Sequence, residues 1–463
     1  MTKIEIKSLL KPERLYLFLI VVFGFILYLY VLTRYALVYG VDGPYYLIQV
    51  RSILETGRLK YDDPPLALYI FTFFALLFGG NITLGIKVGT ALFSALSAAP
   101  LYFWTKKAAK SQLCGYLAAL ACIISSLHLL LMNNYLKMVV GTFFLLCFIY
   151  YLHCIIAEKG NIHTLLMAVI FLVLTGATHA IVFLVAFLFL ALYAIVFRLT
   201  WTIEKEITRN LEVLLFMAFF FIIIGPLFLP FFFKDYYQAL DLAISPFYRF
   251  RPPTVTSSDV ISRFLLDYMS GATVLAAIIF GIILVVYEWR TGRKEAVLAL
   301  VPVTVVGILL LTPFIPIEWV WRFLYMEFIT IAFVLGYGFS KIPRKNVILA
   351  AALFLCFSPI IMQTVNASKT MMPTIREADY REIEEMGQYI PPNSVIFANP
   401  LYSYWIEYVT RTDTTFMFSP AIWQYRHVLI LIDKLFPPTT TPNGTIIFEG
   451  RRFTLYEIEM RLP

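Results

Sequence analysis

The sequence predicts an α-helical polytopic membrane protein with about eleven transmembrane helices and a small C-terminal α/β domain. Of its 463 residues, 60% are hydrophobic and 14% are charged, and the mean hydropathy of +0.80 lies outside the range of soluble domains. A spanning helix needs about 20 mostly apolar residues. Eleven segments approach this length, near residues 15–33, 84–104, 113–131, 138–156, 162–174, 180–198, 211–233, 270–288, 296–316, 323–340 and 346–364.

The charged residues and cysteines are distributed as membrane topology requires. The net charge is +8, but Lys and Arg form short clusters between apolar segments and no single basic face, which argues against a nucleic-acid partner. The basic stretch 1–14 precedes an apolar helix without a small-residue cleavage site, so we expect a retained signal anchor. The cysteines lack the spacing of a zinc site or a disulfide framework and lie in apolar runs, at Cys114, Cys122, Cys147, Cys154 and Cys356.

The predicted orientation of the chain in the membrane depends on whether the apolar run Leu66–Phe78 crosses the bilayer. This run is short for a crossing. If this run does not cross, the positive-inside rule places the N-terminus and the lysines of 106–110 in the cytoplasm. The prediction is then a transmembrane domain at 1–368, whose loops 34–83 and 234–268 face outward, and an extracytoplasmic α/β domain at 369–463.

The predicted C-terminal domain is more polar and mixes helix-like with strand-like stretches. The strand-like stretches are SVIFA at 394–398, TTFMF at 414–418 and TIIFEGRRFTLYEI at 445–458. The last one predicts a hairpin with its turn at Glu449 to Arg451.

The loop that follows the first apolar helix reads VDGPYYLIQVRSILETGRLKYDDPPLALY at 41–69. Asp42 before Gly43-Pro44 is typical of a helix N-cap, and Gly57 is typical of a helix end. Asp63 before Pro64 also fits a cap. However, three aspartates share this short loop with three basic residues, and such concentrated mixed charge indicates a charged ligand. These residues are Asp42, Arg51, Arg58, Lys60, Asp62 and Asp63.

Two stretches resemble one enzyme family. The first outer loop resembles that of the lipid-linked (GT-C) glycosyltransferases, in particular the catalytic subunit of oligosaccharyltransferase. The features that carry the resemblance are Asp42, aromatic residues beyond it, Arg51 nine residues after Asp42, Gly57 fifteen residues after it, and DPPL at 63–66. The stretch NPLYSYWI at 399–406 is similar to the surroundings of the family's WWDYG block. The resemblance therefore implies a GT-C-like membrane domain.

The sequence departs from the family pattern in two places. Asn399, Pro400 and Leu401 stand where WWDYG has two Trp and an Asp, so the part that recognises an acceptor sequon is missing. The family's second carboxylate motif corresponds to NNYLK at 133–137, which has no acid. Two alternatives follow: a divalent cation (Mg or Mn) held by Asp42 and Asp63, or a metal-independent site in which Lys137 neutralises a phosphate. Lys137 as a snorkelling lysine at a helix end is a third interpretation.

The resemblance implies sugar transfer from a polyprenyl-phosphate-linked donor to a glycan, lipid or protein acceptor on the extracytoplasmic face. Such a reaction needs a carboxylate that orients or deprotonates the acceptor, and Asp42 is the candidate. Asp62 or Asp63 is a possible second carboxylate. The departing phosphate needs positive charge, for which the candidates are Arg322 in WVWRF, Lys137, Arg249 and Arg251.

Arg51 and His179, in TGATHA, are further candidates for a cavity. A structural role competes with each functional one: His179 fits a hydrogen-bonded packing residue, and Arg322 fits an interfacial Trp/Arg anchor.

Two other functions remain open from the sequence. A secondary transporter would carry ionisable groups near the bilayer midplane and interrupted half-repeats. Lys87, Glu327 and Arg322 instead fall near predicted outer helix ends, which favours the enzyme. A non-catalytic GT-C relative that binds a lipid-linked sugar would explain the missing second acidic motif.

Overall fold

The computed structural model describes residues 12–200, 204–223, 262, 270–312, 315, 317–343, 346–417, 420–437 and 442–458. Helices dominate this part of the chain: α1 (Pro12–Thr33), α2 (Gly43–Thr56), α3 (Leu66–Leu77), α4 (Ile82–Leu96), α5 (Ala98–Ala109), α6 (Gln112–Ile123), α7 (Ser126–Asn134), α8 (Leu136–Ala157), α9 (Ile162–Thr178), α10 (Ala180–Thr200), α11 (Lys205–Ile223), α12 (Ser270–Arg290), α13 (Lys294–Leu310), α14 (Ile317–Met326), α15 (Phe328–Gly338), α16 (Asn346–Thr370), α17 (Glu377–Met386) and α18 (Ser403–Thr410). The strands are β1 (Ser394–Phe397), β2 (Asp413–Thr415), β3 (His427–Asp433), β4 (Thr445–Glu449) and β5 (Phe453–Ile458).

Within the described ranges, seven helices are long and apolar enough to cross a membrane. They are Pro12–Thr33, Ile82–Ala109, Leu136–Ala157, Ala180–Thr200, Ser270–Arg290, Trp319–Lys341 and Val347–Thr370. An eighth crossing results if α6 and α7, which are bent by 43° at their junction, form one span. The other predicted segments overlap α9, α11 and α13, and residues 224–233, 313–314 and 316 of these segments lie outside the described residues. The chain is a multi-pass membrane protein, as predicted, while the number of eleven crossings stays a prediction.

The chain divides into two compact units. The helical unit comprises Met1–Val31, Tyr61–Ile70 and Val88–Thr370, and the tail unit comprises Leu32–Lys60, Phe71–Lys87 and Met371–Pro463. The boundary at Thr370 lies two residues from the boundary that we predict at residue 368. The tail unit also takes in two segments of the predicted outer loop 34–83, which the sequence did not indicate.

A break in the helical unit interrupts the helix predicted at 113–131. The chain leaves helical geometry after Ile123, and the carbonyl groups released there have side-chain partners. Tyr28 Oη donates to Ile123 O at 2.8 Å, and Thr364 Oγ1 donates to Ile124 O. Unpaired backbone carbonyls are costly inside a membrane, so these two hydroxyls make the break tolerable.

The tail unit contains a five-stranded sheet in the order β2-β1-β3-β5-β4. Strand β1 is parallel to β2 and β3, whereas β5 is antiparallel to β3 and β4. The predicted hairpin is present as β4 and β5. We did not predict β3, although its sequence HVLILID is apolar and rich in β-branched residues. The predicted fold class, a helical membrane protein with a small α/β domain, is confirmed.

An ion cluster fastens helix α17 to the hairpin. Arg452 donates from Nη1 to Asp379 at 2.7 Å and from Nη2 to Asp433 at 2.8 Å. Glu382 accepts hydrogen bonds from the backbone N–H groups of Arg452 and Phe453, at 2.8 and 2.7 Å. Burial by itself would lower the pKa of Arg452, but the bonds to the two aspartates outweigh it and raise this pKa.

Two basic residues of the predicted outer loop also form contacts within the tail unit. Lys60 lies 2.8 Å from Glu407 and 2.7 Å from Asp413. Arg51 donates to the carbonyl oxygen of Tyr408, and its guanidinium lies 4.7 Å from the centroid of that ring. Part of the loop's unusual charge therefore joins the segment 32–60 to α18 and β2.

Candidate active site

Asp42 immediately precedes α2 but does not cap it with its side chain. Its backbone carbonyl accepts from Tyr46 N at 3.2 Å, and its half-buried carboxylate makes no N-cap hydrogen bond. Gly57 ends the same helix with a φ of 73°, and its N–H donates to Ile53 O at 2.9 Å. The capping interpretation thus holds for Gly57, while capping does not account for the acidic side chain of Asp42.

Close packing fixes the backbone beside Asp42. A Cβ atom placed on Gly43 would lie 2.8 Å from Cγ2 of Val38, so only glycine fits there without a shift. Tyr46, one turn further on, is buried, and its ring centroid lies 6.1 Å from that of Phe71 in the same unit. We infer that close packing holds the backbone at the α2 N-terminus, and with it Asp42, in one position.

A buried ion pair joins two predicted residues in the helical unit. The Lys137 ammonium contacts Oδ1 of Asp63, and the two residues are 4% and 5% exposed. Lys137 is the second residue of α8, and Asp63 stands before the two prolines that precede α3. A buried charge is tolerated only when it is paired. Lys137 is therefore held on Asp63 and does not extend to solvent.

The junction between α7 and α8 also contacts the second predicted cation. Tyr135 interrupts the helix there, two residues before Lys137. The Arg322 guanidinium lies 5.0 Å from the centroid of the Tyr135 ring and 4.5 Å from that of Trp319. Stacking on two aromatic rings orients the planar guanidinium. The structure thus brings Arg322 and Lys137 to one junction.

The same junction carries two amides where the family's second acidic motif falls. Nδ2 of Asn133 donates to Oδ1 of Asn134 at 3.2 Å. Oδ1 of Asn133 is buried and has no hydrogen-bond partner among the residues that the structure describes. Buried acceptors are normally satisfied, so this oxygen is suited to an N–H or O–H group of a ligand.

These residues do not fit a divalent cation. Asp63, one of the two acids that the sequence predicts as metal ligands beside Asp42, is engaged by an ammonium, and a cation added there would lie beside that buried positive charge. Asn133 and Asn134 supply neutral oxygens, whereas protein Mg²⁺ sites are built on carboxylates. Across the described ranges, no group of three or more His, Cys, Asp or Glu side chains could hold a metal ion.

The remaining predicted residues take different positions. His179 lies between α9 and α10 and accepts from the N–H of Ile181 at 3.2 Å, which matches the packing interpretation. Asp62 is exposed beside the buried Asp63. Arg249, Arg251 and nearly all of the loop 234–268 lie outside the described residues.

The stretch 399–406 forms the start of α18 and part of the tail core. Oδ1 of Asn399 accepts from the N–H of Leu401 at 3.0 Å. Trp405 is fully buried, and its Nε1 donates to Thr374 Oγ1 at 2.9 Å. This tryptophan is a core residue of the tail unit.

Glu327 is a buried acid whose position the sequence did not predict. It separates α14 from α15 inside the span Trp319–Lys341. Its side chain is fully buried, and neither carboxylate oxygen has a hydrogen-bond partner in the described part of the chain. Because a lone acid within an apolar run gives no periodicity, the sequence shows its presence but not its depth.

We compared the sequence and the fold with those of known proteins. No family model matches the sequence, and no curated protein matches it. Among solved structures, the apo oligosaccharyltransferase of Archaeoglobus fulgidus matches with a TM-score of 0.63 and 13% identity, over 87% of this chain and 64% of that one. ArnT of Cupriavidus metallidurans, in the apo state, matches with a TM-score of 0.59 and 11% identity, over 95% of this chain and 97% of that one.

The chain has the GT-C fold. The chain shares its fold with both neighbours, so the resemblance stated from the sequence is confirmed at the level of the fold. The chain spans less than two thirds of the length of the archaeal oligosaccharyltransferase and nearly all of ArnT. A structure of the archaeal enzyme in complex with Zn and sulfate matches with a TM-score of 0.55 and 14% identity, over 85% of this chain and 62% of that one.

Proposed function

We propose that this GT-C protein is a membrane glycosyltransferase that moves a sugar from a polyprenyl-phosphate-linked donor to a glycan, lipid or protein acceptor on the extracytoplasmic face. The observation that carries the proposal is the pair of cations, Lys137 and Arg322, at the α7–α8 junction. A departing lipid phosphate is an anion, and fixed positive charge lowers the barrier to its release. The archaeal neighbour has been solved in complex with a dolichol-phosphate (TM-score 0.61, 14% identity), which supports a lipid phosphate as the ligand class.

The two cations suit a phosphate in different ways. The planar guanidinium of Arg322 presents several N–H groups in one plane and binds phosphate oxygens in a bidentate manner. The ammonium of Lys137 is a compact point charge on the carboxylate of Asp63. Together they orient the leaving group and neutralise it.

By the family resemblance, Asp42 is the carboxylate that orients or deprotonates the acceptor. In the transfer, the acceptor oxygen bonds to the anomeric carbon of the sugar while the bond from this carbon to the phosphate oxygen breaks. The acceptor proton passes to the Asp42 carboxylate, and the polyprenyl phosphate leaves. Asp62 stays a candidate for a second carboxylate, and Arg51 and His179 stay proposals for substrate contacts.

A comparison of cells with and without the gene tests this function. Mass spectrometry of membrane lipids and surface glycans should show that deletion causes a polyprenyl-linked sugar to accumulate and one glycan species to disappear. Wild-type protein should reverse both changes and Asp42→Asn should reverse neither. The matched control is Glu385→Gln, an exposed carboxylate of the tail unit, which should behave as wild type. Unchanged lipids and glycans after deletion would refute the transferase.

Two alternatives remain distinguishable. Glu327 supports a secondary transporter, because an ionisable group buried within a span is typical of ion and substrate pathways. Solute uptake by proteoliposomes would identify that function. A non-catalytic relative would bind the lipid-linked sugar without transferring it.

A further inference from the structure

We propose that the Lys137 ammonium takes the place of a divalent cation at Asp63, so that sugar transfer by this protein needs no metal ion. The inference rests on the proposed function and concerns the same phosphate-binding junction. It departs from the metal-dependent alternative that the family resemblance implied for Asp63.

The first observation is the position of Lys137. Asp63 and Lys137 are 74 residues apart in sequence, yet the fold brings them into contact in the interior of the helical unit. The carboxylate oxygen that would bind a metal instead contacts a positive charge that belongs to the chain. A divalent ion at this carboxylate would be repelled by the ammonium, and the repulsion is weakly screened because both residues are buried.

The second observation is the donor set around the pair. Asn133 and Asn134 occupy the position of the acidic motif and carry no charge, so they cannot compensate a dication as two carboxylates would. Arg322 adds a second permanent cation through its contact with Tyr135. Lys137, Arg322 and Asp63 thus contribute two positive charges and one negative charge.

This arrangement performs the task of the metal without its coordination chemistry. In the proposed mechanism, one of the three N–H donors of the Lys137 ammonium binds a phosphate oxygen of the leaving group. Charge-assisted hydrogen bonds of this kind strengthen as negative charge develops on the leaving phosphate. No proton transfer from Lys137 is required, because the phosphate departs as an anion.

The main test combines transfer rates with direct detection of metal binding. Purified wild-type protein, treated with EDTA and assayed with and without added Mn²⁺, should transfer sugar at the same rate within about twofold. Electron paramagnetic resonance should show no Mn²⁺ bound to the wild type. Lys137→Asp places a second carboxylate beside Asp63, and we expect this variant to bind Mn²⁺ in the same titration.

Control variants separate charge from folding. Lys137→Met alone leaves Asp63 buried without its ammonium, so the double variant Asp63→Asn/Lys137→Met removes both charges. This double variant should purify as a monodisperse species and lose roughly 100-fold of the transfer rate, and Mn²⁺ should not restore it. The double variant Glu288→Gln/Lys341→Met is the matched control, because it likewise removes both charges of a contacting pair in the same unit, in which Glu288 is fully buried. It should retain metal-independent transfer.

The outcomes distinguish this inference from the proposed function. Transfer that is lost in EDTA and restored by Mn²⁺ would overturn the role of Lys137 and leave the transferase intact. A wild type without transfer under any condition would refute the function, and Mn²⁺ binding would still decide the inference. Mn²⁺ binding by Lys137→Asp and not by the wild type supports the inference that Lys137 replaces a metal ion. Mn²⁺ binding by the wild type, or by neither protein, overturns this inference.

Discussion

Lys60 donates a hydrogen bond to Asp413 at 2.7 Å, and Tyr425 donates to the other oxygen of the same carboxylate at 2.7 Å. Burial alone would raise the pKa of Asp413, but these hydrogen bonds and the charge of Lys60 outweigh burial and lower it. A carboxyl whose pKa is lowered on folding stabilises the fold above its unfolded pKa, which is about 3.9 for Asp. This contribution is lost as the pH falls through the lower, folded value.

The first prediction follows from this pair. The stability of the wild type should fall more steeply below about pH 4 than that of Asp413→Asn, which has no carboxyl to protonate. Urea unfolding of the tail unit, monitored by limited proteolysis between pH 2.5 and 6, measures the difference in stability between the wild type and Asp413→Asn. The effect should be modest because the Asp413 side chain is 44% exposed and therefore screened by solvent. Parallel pH profiles would contradict the assignment.

Asp42→Asn should abolish sugar transfer while the protein still folds. The Asp42 side chain makes no cap hydrogen bond, so a near-isosteric amide leaves α2 undisturbed. Removal of a general base reduces the rate by roughly 100-fold or more. We would measure turnover of a labelled lipid-linked donor and confirm monodispersity by size-exclusion chromatography. Wild-type turnover would remove Asp42 from the mechanism.

Arg322→Lys should weaken donor binding although the charge is retained. Lysine cannot form the planar bidentate contact and stacks less well on Tyr135 and Trp319. Loss of one charge-assisted hydrogen bond corresponds to roughly 10- to 100-fold in the KM for the donor. If Arg322 is only an interfacial anchor, the lysine variant will match the wild type in KM.

Glu327→Gln should leave the melting temperature unchanged or raise it. Both carboxylate oxygens lie buried without a hydrogen-bond partner in the described part of the chain, and a neutral side chain of the same size is easier to bury. Differential scanning fluorimetry in detergent is the measurement. A clear drop in melting temperature would show that the charge is compensated and structurally required.

Impermeant thiol labelling should mark the tail and not the end of α5. Asn443 is an exposed residue of the tail unit, and Lys110 follows α5 with 73% of its side chain exposed. In a protein whose five cysteines are replaced, Asn443→Cys should react in intact cells, whereas Lys110→Cys should react only after lysis. The reverse pattern would invert the orientation.

The sequence predicted local features well and long-range pairings poorly. In its described residues, each apolar segment that we identified overlaps one or two helices, because hydrophobic length and helix position are both local properties. The bend after Ile123 depends on hydroxyls from Tyr28 and Thr364, which lie in remote helices, and no local pattern indicates it.

The candidate site shows the same limit. Asp63 and Lys137 were both identified as candidates, but their mutual contact spans 74 residues and exists only in the fold. The charges of the first loop were interpreted as ligand contacts, yet Arg51 and Lys60 pair with residues more than 300 positions later. Single-sequence reasoning names charged residues but does not assign their partners.

The hydroxyls at the bend have a consequence for biogenesis. Tyr28 belongs to the first described spanning helix and Thr364 to the last, and each supplies one of the two donors that the bend between α6 and α7 requires. During synthesis, the Ile124 carbonyl lacks its Thr364 donor until α16 leaves the ribosome and inserts. Nascent chains that stop before residue 346 therefore present a polar defect within the bilayer, of the kind that membrane chaperones and proteases are suited to recognise.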